Sequence, residues 1–202
     1  MLPYLARHYQ VFLVDLPGYG KSSFTSPWRL REMAPVLIKW LKTLKLSPVV
    51  LIGQSMGGAI ALHMSALAPA SVRQLVLISS AGLPLKMSFP QLAFQSTRSF
   101  FQRKNGQYPA ELRKDILQSN PLLFWQATQE MMGSDFRTEI AAITMPVLII
   151  WGAQDLLLPL SFGKTLSAAL PQATFITLPD CGHRPMLSHP ALLSEMVLRF
   201  LT

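Results

Sequence analysis

The sequence predicts an α/β architecture, a mostly parallel sheet flanked by helices, with a helical cap inserted near its middle. Three observations predict it. Short apolar runs alternate with helix-length amphipathic stretches, the pattern of strand and helix units that feed a parallel sheet. The runs are apolar throughout, as strands covered by helices on both faces must be. The alternation stops between Leu83 and Thr138, where aromatics among helix formers replace it.

The expected strands are Val11–Asp15, Val49–Ile52, Leu75–Ile78, Val147–Trp151 and Thr174–Leu178. Between the first two, Met33–Leu46 sets Leu37, Ile38, Leu41 and Leu44 on one face and Lys39, Lys42 and Lys45 on the other. A surface helix with its lysines in solvent is the expectation. Gly57–Ala68 is almost all small or apolar and reads as a helix buried against the sheet, with His63 as a packed core residue. In the insertion, Phe89, Phe94, Phe100, Phe101, Phe124 and Trp125 accompany two helix-start signals, Pro109 with Glu111 and Pro121 after Asn120. Two or three helices are expected there, forming a lid over the sheet's end. The last helix is Ala191–Leu201, with His189 at its cap. The chain therefore divides into 1–82 as the first part of the core, 83–138 as the cap, and 139–202 as the rest of the core.

A chain of 202 residues with 50% apolar content suits one domain with a substantial core, and 14% charged residues without low-complexity runs exclude disorder. The net charge of +8 is spread along the chain. With no nucleic-acid-binding motif beside it, that charge does not point to a nucleic-acid partner. Cys181 is the only cysteine, which excludes a disulfide within the chain and a cysteine-ligated zinc site. Apolar stretches such as Val147–Trp151 fall well short of the roughly 18 residues a membrane span needs, so no transmembrane segment is expected. Met1–Gln10 lacks a charged start followed by a long apolar segment, so no secretory signal is visible and a cytoplasmic location is expected. The pattern leaves the oligomeric state open.

The chemistry concentrates in three loops. Gly53-Gln54-Ser55-Met56-Gly57-Gly58 lies between an expected strand and the buried helix. A serine on so sharp a turn presents its hydroxyl, and small residues two before and two after let strand and helix approach. Gly53 and Gly57 meet that demand. The Met56 backbone N–H would then face a developing oxyanion, helped by the positive end of the helix. Serine needs a base and an acid. Trp151-Gly152-Ala153-Gln154-Asp155 puts a carboxylate past one strand, and Asp180-Cys181-Gly182-His183 puts an imidazole past the next. Ser55, Asp155 and His183 thus leave one edge of a parallel sheet in the order nucleophile, acid, base. Asp180 is a rival acid, though close to His183 in the same loop. His189 reads as a cap more than a base, and Cys181 as a packed residue. Gly20-Lys21-Ser22 follows a strand as a phosphate-binding loop would, but the position needing the first glycine of that motif is Asp15.

With these residues the sequence resembles the α/β-hydrolase superfamily, over almost its whole length. Asp15-Leu16-Pro17-Gly18-Tyr19-Gly20-Lys21-Ser22 looks like that family's turn after its fourth strand, Trp151-Gly152 with Asp155 and Pro159 like its acid loop, and Gly182-His183 like its base loop. The resemblance implies a Ser-His-Asp esterase, lipase, thioesterase or related acyl hydrolase, with substrate choice made by the cap and no metal or organic cofactor. Relatives that are dehalogenases or epoxide hydrolases carry Asp at the elbow, so Ser55 argues against those reactions. Thioester cleavage, carbon–carbon cleavage beside a ketone and perhydrolysis stay open. The Phe, Met and Leu of the insertion point to a small-molecule ester or acyl substrate with an apolar portion.

The resemblance further implies a third strand upstream of Val11–Asp15, lying between it and Val49–Ile52 and supplying a second oxyanion donor. A chain lacking those first strands would leave unpaired backbone groups along a gap, and loss of one oxyanion donor costs about 100- to 1000-fold in turnover. Met1–Tyr9 looks like the end of the helix before the fourth strand, so an N-terminally truncated chain lacking the fold's first strands is expected, as a fragment, a misplaced start or a decayed gene. An inactive fragment, or a non-catalytic binding protein of the same fold, is the alternative to a working hydrolase.

Overall fold

The computed structural model of the chain describes residues 1–23, 29–85, 87–101, 121–170 and 172–202. Among the described residues one sheet forms from β1 (Val49–Gln54), β2 (Val72–Ile78), β3 (Val147–Gly152) and β4 (Ala173–Leu178), in the order β1-β2-β3-β4. Every neighbouring pair is parallel. Successive side chains of a strand point to opposite faces, and here both faces are apolar. Leu75, Leu77, Val147, Ile149 and Trp151 enter one core, while Val76, Ile78, Leu148, Ile150 and Leu178 enter the other. Each fully buried side chain of this kind contributes about 1.5–3 kcal/mol of transfer free energy.

The first core is closed by α2 (Leu30–Thr43) and α3 (Met56–Leu67). The second is closed by α1 (Leu2–Leu5) and the final helix, through Leu5, Leu193 and Val197. In α3 every residue from Gly58 to Ser65 is buried, as its small and apolar composition requires. His63 is among them and packs at a tilt against the Phe136 ring, 5.5 Å between ring centres. Burial pulls its pKa down; Glu139 opposes that pull and Arg31 adds to it.

Two expected elements differ. The helix α2 begins at Leu30, three residues before Met33, and runs through Pro35. Proline has no N–H to bond the carbonyl four residues back, but the buried side chains of Leu30, Met33, Ala34 and Leu41 hold the turn in place. Leu44 falls at the C-cap and is 45% exposed, so it leaves the expected apolar face. The second difference is Val11–Asp15, none of which enters the sheet. β1 is the edge strand, and Phe12, Leu13 and Val14 are 44%, 75% and 43% exposed. Apolar composition alone does not make a strand, which also needs a backbone partner, and among the described residues this run pairs with none.

Between β2 and β3 lie α4 (Phe89–Phe101), α5 (Pro121–Gly133) and α6 (Arg137–Ala141). Pro121 occupies the first turn of α5, where a missing N–H costs nothing. Pro109, Glu111 and Asn120 lie outside the described residues. Leu85 N–H donates to Met132 O at 3.1 Å, which ties α5 to the loop leaving β2. Phe136 and Ile140 are already in the first core, so the chain has rejoined it by α6. After β3 come α7 (Leu160–Ala168), α8 (Pro185–Ser188) and α9 (Pro190–Leu201). Among the described residues, no helix is long and apolar enough to cross a membrane.

Candidate active site

Because all four strands run the same way, their C-terminal ends open at one edge, where such sheets place their ligands. Ser55 follows β1, Ser79 follows β2, Asp155 lies three residues past β3, and His183 five past β4.

Ser55 sits at the turn into α3 with φ 53° and ψ −122°, a region that L-residues avoid. The strain, of the order of 1–3 kcal/mol, is held by backbone bonds from both sides. Ser55 N–H donates to Ile78 O at 3.1 Å, and Ser55 O accepts from Ala81 N–H and Gly58 N–H, each at 3.0 Å. A Cβ on Gly53 would stand 2.5 Å from Gly57 O and 2.7 Å from Gly58 Cα, so strand and helix do meet there. The second small position is not where it was expected. Space around Gly57 is open, whereas a Cβ on Gly58 would overlap the Ser80 hydroxyl. The helix start is pressed against the loop after β2, one residue further along than the motif alone indicates. Met56 opens α3, so its N–H is among the first-turn donors that no helical carbonyl satisfies.

The acid and base loops are joined by their backbones. Ala153 N–H donates to Leu178 O and Gln154 N–H to Cys181 O, both at 2.9 Å. Gly152 allows this, since a Cβ there would meet Cys181 O at 2.5 Å. Asp155 Oδ1 accepts the Leu157 and Leu158 N–H groups at 2.9 Å each, leaving Oδ2 to face His183 Nδ1 at 2.8 Å. The two side chains are 0% and 2% exposed. A carboxylate buried this way is tolerated because donors meet both oxygens. Its demand for a proton fixes the imidazole with hydrogen on Nδ1 and a lone pair on Nε2.

Asp180 is exposed, and it is Asp155 that meets Nδ1. His189 stands at the N-cap of α9, yet its ring contacts Ser188 Oγ at 2.8 Å and makes no side-chain cap bond. Cys181 is fully buried, and burial pushes its thiol pKa up, with the Ser188 hydroxyl at 3.3 Å pulling the other way. Among the described residues, no group of three His, Cys, Asp or Glu is placed to hold a metal ion.

Three neighbours of this site escaped the sequence reading. Gln54 Nε2 lies 3.1 Å from His183 Nε2 and 3.1 Å from His183 O; its signal is a polar residue directly before the elbow serine. Ser79, with φ 42°, holds a buried hydroxyl for which no partner is found among the described residues. Arg184 donates to Ser99 Oγ of α4 at 3.4 Å, linking the base loop to the insertion.

A parallel sheet of this order, with a strained serine turn and a buried Asp–His pair at one edge, defines a hydrolase of the α/β type. The chain belongs to the alpha/beta hydrolase family, whose model matches residues 1–196. It is 28% identical over 225 residues to the pimeloyl-[acyl-carrier protein] methyl ester esterase of Pectobacterium atrosepticum, covering 99% of this chain and 87% of that protein. The corresponding esterase of Nitrosomonas europaea is 29% identical over 212 residues, covering 92% and 82%. Among solved structures, a serine hydrolase involved in carbazole degradation superposes with a TM-score of 0.82 at 25% identity, covering 98% of this chain and 81% of that one. An esterase from Exiguobacterium antarcticum gives 0.79 at 20% identity, covering 93% and 79%. These relatives are hydrolases and esterases, and the chain is an enzyme of that fold.

Proposed function

We propose that the chain is a serine hydrolase that cleaves a carboxylic ester, or a related acyl bond, through Ser55, His183 and Asp155. The observation that carries this reading is the buried His183–Asp155 pair at 2.8 Å, at the same sheet edge as the strained Ser55 turn. In the reaction His183 Nε2 takes the Ser55 proton as Oγ attacks the acyl carbon. The Met56 N–H stabilises the oxyanion of the tetrahedral intermediate. Its collapse expels the alcohol, which leaves with the proton from His183, and an acyl-enzyme remains. Water, deprotonated by the same imidazole, then releases the acid and restores Ser55.

The segment 83–138 serves as the cap over this edge. Two observations support that role: it joins β2 to β3, and Arg184 beside His183 reaches Ser99 on α4. Its Phe, Met and Leu content favours a substrate with an apolar acyl or alkyl part. The methyl ester named for the Pectobacterium relative supports an ester as the bond cleaved.

A catalytically silent protein of the same fold is favoured by one observation. Among the described residues no strand pairs with the outer side of β1, which carries the elbow, and Ile52 in that strand is 38% exposed. Labelling with a fluorophosphonate separates the two readings. The hydrolase forms an adduct on Ser55 that is absent from Ser55→Ala, and it turns over chromogenic esters at rates that vary with acyl length. A folded chain that forms no adduct is the silent protein.

A further inference from the structure

We infer that Gln54 is a positioning residue for His183, one that holds the base in the tautomer needed for proton transfer and anchors its loop to the elbow strand. The deduction starts from one atom with two contacts. Gln54 Nε2 is 3.1 Å from the His183 carbonyl oxygen and 3.1 Å from His183 Nε2. A backbone carbonyl can only accept, so the end of the amide facing it must be the NH2 group; an oxygen there would set lone pair against lone pair. An amide nitrogen has two protons and accepts nothing. Its second proton therefore points at the ring, and Nε2 must offer a lone pair.

Asp155 imposes the same requirement from the other side. Its Oδ2 at 2.8 Å takes the hydrogen of Nδ1, which leaves Nε2 bare. Two independent contacts, one on each ring nitrogen, thus select one tautomer. The carbonyl bond adds a mechanical link between residues 129 apart in sequence, joining the residue before Ser55 to the loop that carries the base. The arrangement also acts during turnover. The Nε2 lone pair meets one donor at a time, so the amide gives way as the Ser55 hydroxyl donates, and once Nε2 has taken that proton its N–H confronts the amide N–H. Gln54 thereby favours return of the proton to the leaving group over its retention on the ring.

This inference rests on the proposed hydrolase function only for its kinetic arm, because the contact is readable without turnover. The experiment is nitrogen NMR on the full chain labelled with 15N-histidine, near neutral pH, with the His183 signals assigned by their loss in His183→Ala. In Gln54→Leu the unprotonated Nε2 signal should move downfield, as a nitrogen that has lost a hydrogen-bond donor does. Gln54→Glu keeps the length but has no proton to give. Its carboxylate should draw a proton onto Nε2, so that the unprotonated nitrogen signal is lost and both ring nitrogens read as N–H. If one variant fails to fold, the other still decides. In ester hydrolysis Gln54→Leu should lower kcat about tenfold with KM unchanged, the worth of about one hydrogen bond. His183 ring signals that are the same in wild type and in the folded variants would overturn the inference. Responsive ring signals in a chain that labels with no fluorophosphonate would leave the positioning role standing and count against the hydrolase function.

Discussion

His183 Nδ1 and Asp155 Oδ2 lie 2.8 Å apart in the interior, and the other oxygen of the same carboxylate is held by the Leu157 and Leu158 N–H groups. The carboxylate is fixed before it meets the imidazole. An Asn at 155 keeps the shape but offers one oxygen, not two, to three donors. Asp155→Asn should therefore reduce kcat for ester hydrolysis by about 10,000-fold, with unchanged far-UV circular dichroism. His183→Ala should lose as much, whereas His189→Ala, whose ring meets the Ser188 hydroxyl, should stay near wild type. An inactive His189→Ala beside an active His183→Ala would reverse the assignment of the base.

The elbow makes a contrast among three neighbouring glycines. A Cβ at Gly53 meets backbone at 2.5 Å and one at Gly58 overlaps Ser80, while the space at Gly57 is open. Gly53→Ala and Gly58→Ala should each destabilise the fold by about 1–3 kcal/mol or more, as overpacking does. Gly57→Ala, in the first turn of α3, should be neutral or stabilising by up to about 1 kcal/mol. Urea denaturation of the three variants checks the ranking, and a Gly57→Ala protein as damaged as Gly58→Ala would contradict this packing.

His63 gives stability a pH dependence. Burial holds its pKa below the ordinary 6.5, so the fold favours the neutral ring. Its contribution is complete above pH 6.5 and is lost as pH falls through the lowered folded value. The charged groups facing it, Glu139 and Arg31, act in opposite directions. Wild type should thus lose more stability than His63→Leu between neutral pH and about pH 5. Equal losses in urea midpoints for the two proteins would show that His63 is not the group responsible.

Cys181 neighbours the base yet is sealed from solvent, with burial as the main cause of its raised pKa. A thiol of that kind is a poor nucleophile. Iodoacetamide should modify it only as fast as the protein opens, and immediately in denaturant. Cys181→Ser should still accept a fluorophosphonate on Ser55, at a stability cost of about 1–3 kcal/mol if its hydroxyl finds no partner. Rapid alkylation of the native chain would be incompatible with this packing.

Features that depend on neighbouring residues in sequence were legible from it. A run apolar on both faces, such as Val147–Trp151, has to be a strand between two helical layers, and the loop after it has to emerge at the sheet edge. That reasoning alone placed Ser55, Asp155 and His183 together. Where the deciding contact was distant, the sequence did not say which residue the partner would be. Val11–Asp15 reads as a strand by composition, but pairing is a relation to another backbone, and among the described residues this run takes no partner even though one side of β1 is open. Gly58, not Gly57, is the crowded glycine because Ser80, from a different loop, presses on it. Gln54 gained its contact with His183 only when the sheet brought residues 129 apart to one edge. The sequence by itself put Ser55, Asp155 and His183 on loops that follow strands of one parallel sheet, since periodicity and loop composition are local. Only the tertiary structure decided what holds them in register, because that depends on distances between segments no local pattern records.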